Sequence, residues 1–416
     1  MLSCNAVVDK KMVGLSFMRG FHRVLIVIVL SALAQAVQAI PFTFEARSLS
    51  MGGVGVASAN LATAAWANPA MLTNQPMEDD WSLLIGLGGF LRDDDDLASD
   101  IKSFQDADEQ RQEAQDAGNI PGEAQAILEM RRTLGDMDSK IIAPEATVLV
   151  AMGVSFESFS MAVSARADVI AGGSVTNISC PLIQTGCDPG ELLSDEFNIL
   201  NLEGVLATEI GVSFARDFQL WGRKISIGVK PKLVELDAFT YQESIRTVDA
   251  DSDLIDKNDD RQDLGTFATI DLGLAYDVSD SVRLGLSLRN LLTDEFDLGD
   301  QTLVMDTEAR FGVAYHNDFM VAAIDFDLVE NEPLLASDSF ESLKTQNVAI
   351  GAEFNAFKYV KLRVGASKNM ASGISDGARG TSYTAGVGIW LGFNLDVAAI
   401  LSDHSVGAFL QTGFQF

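Results

Sequence analysis

Residues 268–290 read ATIDLGLAYDVSDSVRLGLSLRN and contain the clearest fold signal in the chain. Apolar residues occupy every second position from Ile270 to Tyr276, and again from Val282 to Leu288. This period of two is that of a β-strand, whose side chains point alternately to opposite faces. The stretch therefore predicts two neighbouring strands joined by the short link DVSDS, each with one apolar face and one face of small or charged residues.

The same alternation recurs along most of the chain from residue 81 onward. An even number of strands is typical of bacterial outer-membrane barrels, which close so that no strand edge stays unpaired. We expect fourteen strands, near residues 81–90, 145–155, 159–168, 200–215, 223–238, 265–278, 281–290, 304–316, 319–328, 346–356, 359–368, 382–393, 394–401 and 405–416.

The links between the predicted strands alternate between short and long. Links such as FESF, DVSDS and HND follow even-numbered strands, whereas long polar loops follow the odd-numbered ones, except for the short last loop around SDHSV. A soluble β-sandwich also has alternating strands, but it has no reason to sort its loops between two ends. The final segment GAFLQTGFQF ends on an aromatic residue and resembles the recognition signal of bacterial outer-membrane barrels. We therefore predict an all-β fold, a fourteen-stranded antiparallel transmembrane outer-membrane barrel over residues 81–416.

The composition limits the partners of the chain. Its 416 residues have a formal net charge of −30, yet 47% of them are hydrophobic. This apolar content is too high for a disordered acidic chain, and no basic patch is present to bind nucleic acid. No later segment has about 18 uninterrupted apolar residues, so a helical membrane protein is not expected either.

Residues 1–39 have the pattern of a signal peptide. Arg19 and Arg23 precede an apolar run from Val24 to Ala34, and the small-residue cleavage site is Val37-Gln38-Ala39. The run is too short to span a bilayer comfortably, which favours a cleaved leader over an anchor. We therefore expect export to the cell outer membrane, with outer-membrane lipid as a partner.

Cys180 and Cys187 are the two cysteines beyond the leader, in the segment SCPLIQTGCDPG. Two cysteines so close together in an exported chain predict a disulfide that closes one loop. A metal site there would need further ligands, and the segment has no histidine.

The segment DADSDLIDKNDD imitates a calcium loop through Asp249, Asp251 and Asp253. Leu254 stands where such a loop requires glycine, and Asp260 stands where it requires glutamate. We interpret the segment as a solvated acidic loop, with loose binding of divalent ions as the alternative, and expect no resident metal or cofactor.

Residues 91–143, between the first two strands, have a different period. Leu97, Ile101 and Phe104 are spaced by three and four, and the same spacing returns from Ile127 to Ile141. Glycine and proline at positions 118–122 separate the two runs. This pattern predicts an extracellular helical hairpin.

Residues 40–80 precede the first strand and are rich in glycine and alanine. The segment GVGVAS lacks the third glycine and the preceding strand of a dinucleotide-binding loop. Small residues allow the backbone to pack closely in a confined space, and an asparagine before a proline suits a turn or a helix start. We predict a plug, or hatch, inside the barrel, with the site residues Gly52, Gly53, Gly55, Asn68, Pro69 and Ala70.

The segment ARSLSMGGVGVASANLATAAWANPAML, residues 46–72, resembles the N-terminal signature of the FadL-like superfamily of outer-membrane proteins, the long-chain fatty acid transporters. In that superfamily a hatch bearing Asn-Pro-Ala closes a fourteen-stranded barrel. The NPAML step, the acidic DDDDLASDIKSFQDADE and the helical insertion are more similar to the TraF-like family of conjugal transfer outer-membrane proteins. The resemblance implies roles for the hatch residues but assigns no ligand residue.

The residues beyond the hatch do not favour an enzyme. His316 is expected at a periplasmic turn, and His404 lies beside Ser405, too close in sequence for a nucleophile and its base. Charged residues on the inward faces either pack around the plug or line a selective conduit. They are Arg166, Asp168, Glu203, Glu209, Lys230, Lys232, Asp271, Asp277, Arg283, Arg289, Arg310, Asp325, Asp327, Glu353, Lys361 and Arg363.

Two functions remain open from the sequence. The superfamily resemblance implies passive uptake of a hydrophobic small molecule that displaces the hatch and leaves sideways or into the periplasm. The TraF-like resemblance implies a part in plasmid transfer or envelope assembly, with envelope or conjugation proteins docking on the helical hairpin.

Overall fold

A computed structural model describes residues 45–74, 80–93, 96–182, 187, 189–248, 261–292, 294–297, 302–305, 307–331, 344–357, 359–372, 380–402 and 405–415. The predicted signal peptide, the calcium-like loop from Asp249 to Asp260 and His404 lie outside these ranges. Among the described helices, none is both long and apolar enough to cross a bilayer.

Fourteen antiparallel strands form a closed barrel, in which the first strand pairs with the last. Two further strands, β8 and β9, form a separate hairpin. The predicted transmembrane barrel is thereby confirmed. The strands are β1 Trp81–Asp93, β2 Ile142–Ser155, β3 Ser160–Thr176, β4 Ile199–Leu220, β5 Arg223–Ser244, β6 Gln262–Asp277, β7 Val282–Arg289, β8 Asp294–Asp297, β9 Thr302–Met305, β10 Glu308–His316, β11 Met320–Asp327, β12 Asn347–Phe357, β13 Val360–Asn369, β14 Thr381–Trp390, β15 Asn394–Leu401 and β16 Ser405–Gln415.

Several strand predictions need correction. The strand expected near 304–316 is divided, because residues 302–305 belong to the separate hairpin and the wall strand begins at Glu308. β3 and β5 also run beyond their expected ends, to Thr176 and Ser244. At the outer ends of these two strands, the outward-facing side chains are buried as well as the inward-facing ones. The alternation of apolar and polar residues is therefore weaker there, although the strands remain paired.

The outward face of the barrel is apolar and accessible. Leu87 on β1, Val148 on β2 and Ile210 on β4 are each more than half exposed, as lipid-facing side chains are. The tight turns gather at one end, which is the periplasmic end in barrels of this class. One of them, Trp221–Gly222, is a two-residue turn with φ of 52° and 72°, and Trp221 is 86% exposed at that rim.

Two antiparallel helices, α3 Leu97–Asp116 and α4 Ile120–Asp136, cover the outward face of the long strands at the opposite end. Their apolar side chains share a buried core with Leu200 and Tyr241 of the wall. Cys180 lies in the same core with its sulfur 2.04 Å from that of Cys187. The hairpin is therefore packed on the barrel by an apolar core of its own.

Candidate functional site: the hatch and its cavities

Residues 45–74 fill the inside of the barrel, and nearly all of them are buried. They form two single-turn helices, α1 Ala46–Leu49 and α2 Ala64–Ala67, followed by a 3₁₀-helix at Pro69–Thr73. The Glu45 carboxylate caps α1 by accepting hydrogen bonds from the backbone N–H groups of Arg47 (2.5 Å) and Ser48 (3.0 Å). We call this segment the hatch.

The Asn-Pro-Ala step joins the hatch to itself and to the wall. Asn68 Oδ1 accepts a hydrogen bond from the Ala70 N–H (3.0 Å), while Pro69 occupies the first position of the 3₁₀-helix. Asn68 Nδ2 donates to the Val56 carbonyl (2.8 Å) and to the Leu274 carbonyl on β6 (3.2 Å). A different side chain at position 68 would leave these groups without that bridge.

The hatch glycines have separate roles. Gly52 and Gly53 have φ of +76° and +90°, a region that favours glycine, and they turn the chain after α1. Gly52 N–H donates to Thr384 Oγ1 on β14 (2.8 Å), and Gly55 N–H donates to Asp325 Oδ2 on β11 (2.8 Å). The hatch backbone thus bonds directly to wall side chains.

Glycines of the wall allow this close approach. A Cβ atom on Gly351 would lie 2.1 Å from the Met51 carbonyl oxygen, and one on Gly273 would lie 2.1 Å from Asn68 Oδ1. In the sequence these glycines are only small inward residues, and no local pattern indicates that the hatch packs against them. The wall glycines that contact the hatch are Gly153, Gly228, Gly273, Gly285, Gly312, Gly351, Gly365 and Gly386.

A chain of buried ion pairs holds α1. Arg47 Nε lies 2.9 Å from Glu353 Oε2, and Arg363 Nε lies 2.7 Å from the same oxygen. Arg363 Nη1 then reaches Asp396 Oδ1 at 2.5 Å. Arg47 also donates to the Ser58 carbonyl (2.9 Å), so one hatch side chain links two hatch segments to β12.

A second group of charges holds the glycine turn. Asp325 Oδ2 accepts from the N–H groups of both Gly55 (2.8 Å) and Val56 (3.0 Å). Arg310, which pairs with Asp327, donates to the Gly53 carbonyl (3.2 Å). The turn is therefore held by one anionic and one cationic side chain of adjacent strands.

A third group lies beside α2. Glu209 bridges Lys230 at 2.5 Å and Lys232 at 2.8 Å, and Lys232 also lies 3.0 Å from Asp271. Lys230 donates to the Ala65 carbonyl (3.1 Å) and stands 4.7 Å from the centre of the Trp66 ring. Many of the inward charges thus hold the hatch, which favours packing around the plug over a charged conduit.

The capping residue Glu45 makes hatch stability depend on pH. Burial, opposed by the charge of Arg47, raises the pKa of its carboxyl from 4.5 to about 7. A folded-state pKa above the unfolded value means that the seated hatch binds the proton more tightly. The resulting stabilisation is present below about pH 4.5 and is lost as pH rises through 7.

We therefore expect the purified channel in planar bilayers to open more often at pH 8 than at pH 5.5. Glu45→Gln, which keeps an acceptor oxygen without the ionisation, should reduce this dependence. An equal pH response in wild type and variant would assign the effect to other groups.

A cavity of about 160 Å³ lies on the outer side of the hatch. Leu49 of the hatch, Phe90, Ile400 and Phe409 supply its apolar lining, and Thr147 is among its polar groups. It also contains an ion pair between Arg166 and Asp168, 2.6 Å apart.

A second, largely apolar crevice of about 120 Å³ adjoins this cavity. Most of its lining comes from outward-facing residues, including Leu206 and Phe239, while Glu145, Ala146 and Val169 line both spaces. The pairing of β2 with β3 is interrupted beside them, between Ile142 and Glu145, where Pro144 has no N–H to donate. The interruption thus lies beside the residues that the two spaces share.

The fold and the site define a transmembrane β-barrel closed from within by its own N-terminal segment. The chain belongs to the family described as "F plasmid transfer operon, TraF, protein", whose model matches residues 65–327. The search of curated proteins gives no match.

Two solved structures share the fold. The Ralstonia pickettii toluene transporter TbuX is 14% identical with a TM-score of 0.52, over 90% of this chain and 98% of that one. The P. putida toluene transporter TodX is 11% identical with a TM-score of 0.53, over 90% of this chain and 99% of that one. The barrel fold that the resemblance of the hatch segment implied is therefore confirmed.

Proposed function

We propose that this protein is a passive outer-membrane channel for a small hydrophobic molecule. The observation that carries the proposal is the pair of adjoining apolar spaces on either side of the β2–β3 wall, at the interruption beside Pro144. Ligand sites are mostly apolar with a few polar groups, and the outer cavity has this character. The fold shared with two toluene transporters supports transport over catalysis.

In the route that fits this chain, the transported molecule leaves the barrel sideways, through the wall. The hatch is held by buried ion pairs and by hydrogen bonds to strands on several sides of the barrel, so its displacement is costly. A molecule in the outer cavity reaches the outward crevice past small side chains such as Ala146 and meets the lipid without moving the hatch. The hydrophobic effect favours this transfer from water to bilayer.

Blocking the outer cavity should abolish uptake. Thr147 faces this cavity, so Thr147→Trp would place an indole ring in it. We expect the uptake of radiolabelled toluene by cells producing the variant to fall at least about tenfold, toward the level of cells without the protein.

The matched control is Val148→Trp, one residue along the same strand. Val148 is 58% exposed on the lipid face, where tryptophan is tolerated. Both variants should shift mobility on heating in semi-native gels, as a folded barrel does. Uptake that is equal in the two variants would overturn the proposed route.

The family membership favours a second candidate, a component of an envelope assembly for plasmid transfer. The family match includes the helical hairpin, whose exposed apolar residues Ile120 and Leu128 are available for a protein partner. The double substitution Ile120→Glu with Leu128→Glu should lower DNA transfer at least tenfold if this candidate is right, while toluene uptake is retained. Unchanged transfer would leave the channel as the better account.

A further inference from the structure

A cavity of about 470 Å³ lies on the turn side of the hatch. Its floor is the hatch loop from Asn60 to Thr63, and its walls come from β12 to β16 and β1. Because the tight turns mark the periplasmic end, this cavity lies on the opposite side of the hatch from the outer cavity. It is within the size range of small-molecule sites in proteins.

The deep part of this cavity is cationic. Arg47 and Arg363 share Glu353, and Arg363 also pairs with Asp396, so these charges satisfy one another. Lys361 differs from them, because its nearest carboxylate oxygen in this cluster, on Glu353, is 3.9 Å away. Its side chain is 49% exposed, compared with 3% for Arg363.

The side chains around this cavity have more positive than negative groups. Three cations, Arg47, Lys361 and Arg363, line the cavity with one carboxylate, Asp396, and a second, Glu353, lies directly behind them. The nearby carboxyl of Glu45 is turned toward the N–H groups of α1. Lys361 is therefore the cation that this arrangement presents to the cavity.

The rim of the cavity is aromatic. Phe357, Tyr359 and Trp390 surround the opening and are all substantially exposed. Aromatic side chains give a large contact area to flat or apolar molecules, and tyrosine and tryptophan also keep a polar group at the water boundary.

We infer that this periplasmic cavity binds an organic anion with an aromatic or apolar body. The Lys361 ammonium pairs with the carboxylate of the ligand, the amide of Gln411 is an additional polar group in the cavity, and Tyr359 and Trp390 contact the body. The inference does not depend on the proposed uptake route, because the two cavities lie on opposite sides of the hatch.

The test uses the full chain in lipid nanodiscs, with 1-naphthoate as the probe and isothermal calorimetry as the measurement. Neutral 1-methylnaphthalene, which partitions into lipid without a carboxylate, is the reference compound. We expect saturable one-to-one binding of naphthoate and only lipid partitioning of methylnaphthalene.

Lys361→Gln should weaken naphthoate binding about tenfold or more, since it removes a charge-assisted contact. Lys361→Arg, which keeps the charge, should bind within a few fold of wild type. The matched control is Lys368→Gln, on the same strand near its other end and facing outward, which should bind as wild type. Trp390→Ala should weaken binding independently of charge.

Photocrosslinking with benzophenone-4-carboxylate locates the site. We expect labelled peptides from the segments that contribute Asn355, Lys361 and Trp390 to the cavity lining. Labelling at Phe90 or Phe409 in the outer cavity would overturn the inference, as would undiminished binding in Lys361→Gln or equal binding of the neutral compound. Loss of toluene uptake in the Thr147 variant with intact naphthoate binding would separate the two proposals.

Discussion

Gly351→Val will open the barrel without unfolding it. A Cβ at this position would lie 2.1 Å from the Met51 carbonyl oxygen and 2.6 Å from the Met51 Cβ, so the hatch must shift. Overpacking of this kind costs about 1–3 kcal/mol, which corresponds to an increase of about 5- to 150-fold in the open population. The measurement is the open probability of the purified protein in planar bilayers.

The matched control is Gly89→Val, also a wall glycine. Its Cβ would face outward with its nearest contact, the Glu145 carbonyl oxygen, at 3.6 Å. This variant should stay as closed as wild type, and both should keep their heat-modifiable mobility. A Gly351 variant that remains closed would mean that the hatch is not seated on the wall glycines.

The barrel itself could be predicted because lipid surrounds it uniformly. The outward face of a strand in contact with lipid must be apolar, and this face has every second residue. The alternation from Ile270 to Tyr276 therefore indicates both the strand and which of its two faces is outward. The alternation fails where the environment changes. At the outer end of β5, Tyr241 is outward but covered by the helices, and the strand end was placed too early there.

The seat of the hatch could not be predicted from local patterns. An inward glycine such as Gly351 has the same sequence context whether it faces water or a packed segment. Arg47 and Glu353 are 306 positions apart, and their contact depends on how the closed barrel places β12 against α1. The tract of small residues and the Asn68-Pro69 step are the local signals of a hatch in the sequence. Both lie on the hatch itself, so they do not show which residues of the wall it contacts.

Glu353→Ala will release the first hatch helix. The substitution leaves Arg47 without its carboxylate while it remains buried, and Arg363 retains Asp396 alone. Breaking a buried ion pair by removing one partner costs about 3–5 kcal/mol, so the population with a displaced hatch should rise roughly 100-fold or more. Chymotryptic cleavage after Leu49, which is 3% exposed in the seated hatch, measures that population by mass spectrometry.

Glu157→Ala, a carboxylate exposed in a turn at the same end, should leave cleavage at the wild-type rate. The double variant Arg47→Met with Glu353→Leu distinguishes the ion pair from packing alone. Replacing both charged partners by apolar groups of similar size is often nearly neutral, because no buried charge is left unpaired. Cleavage in the double variant should therefore be much slower than in Glu353→Ala. If the two substitutions instead add independently, the coupling between Arg47 and Glu353 is negligible, and the hatch is held by its backbone contacts with the wall.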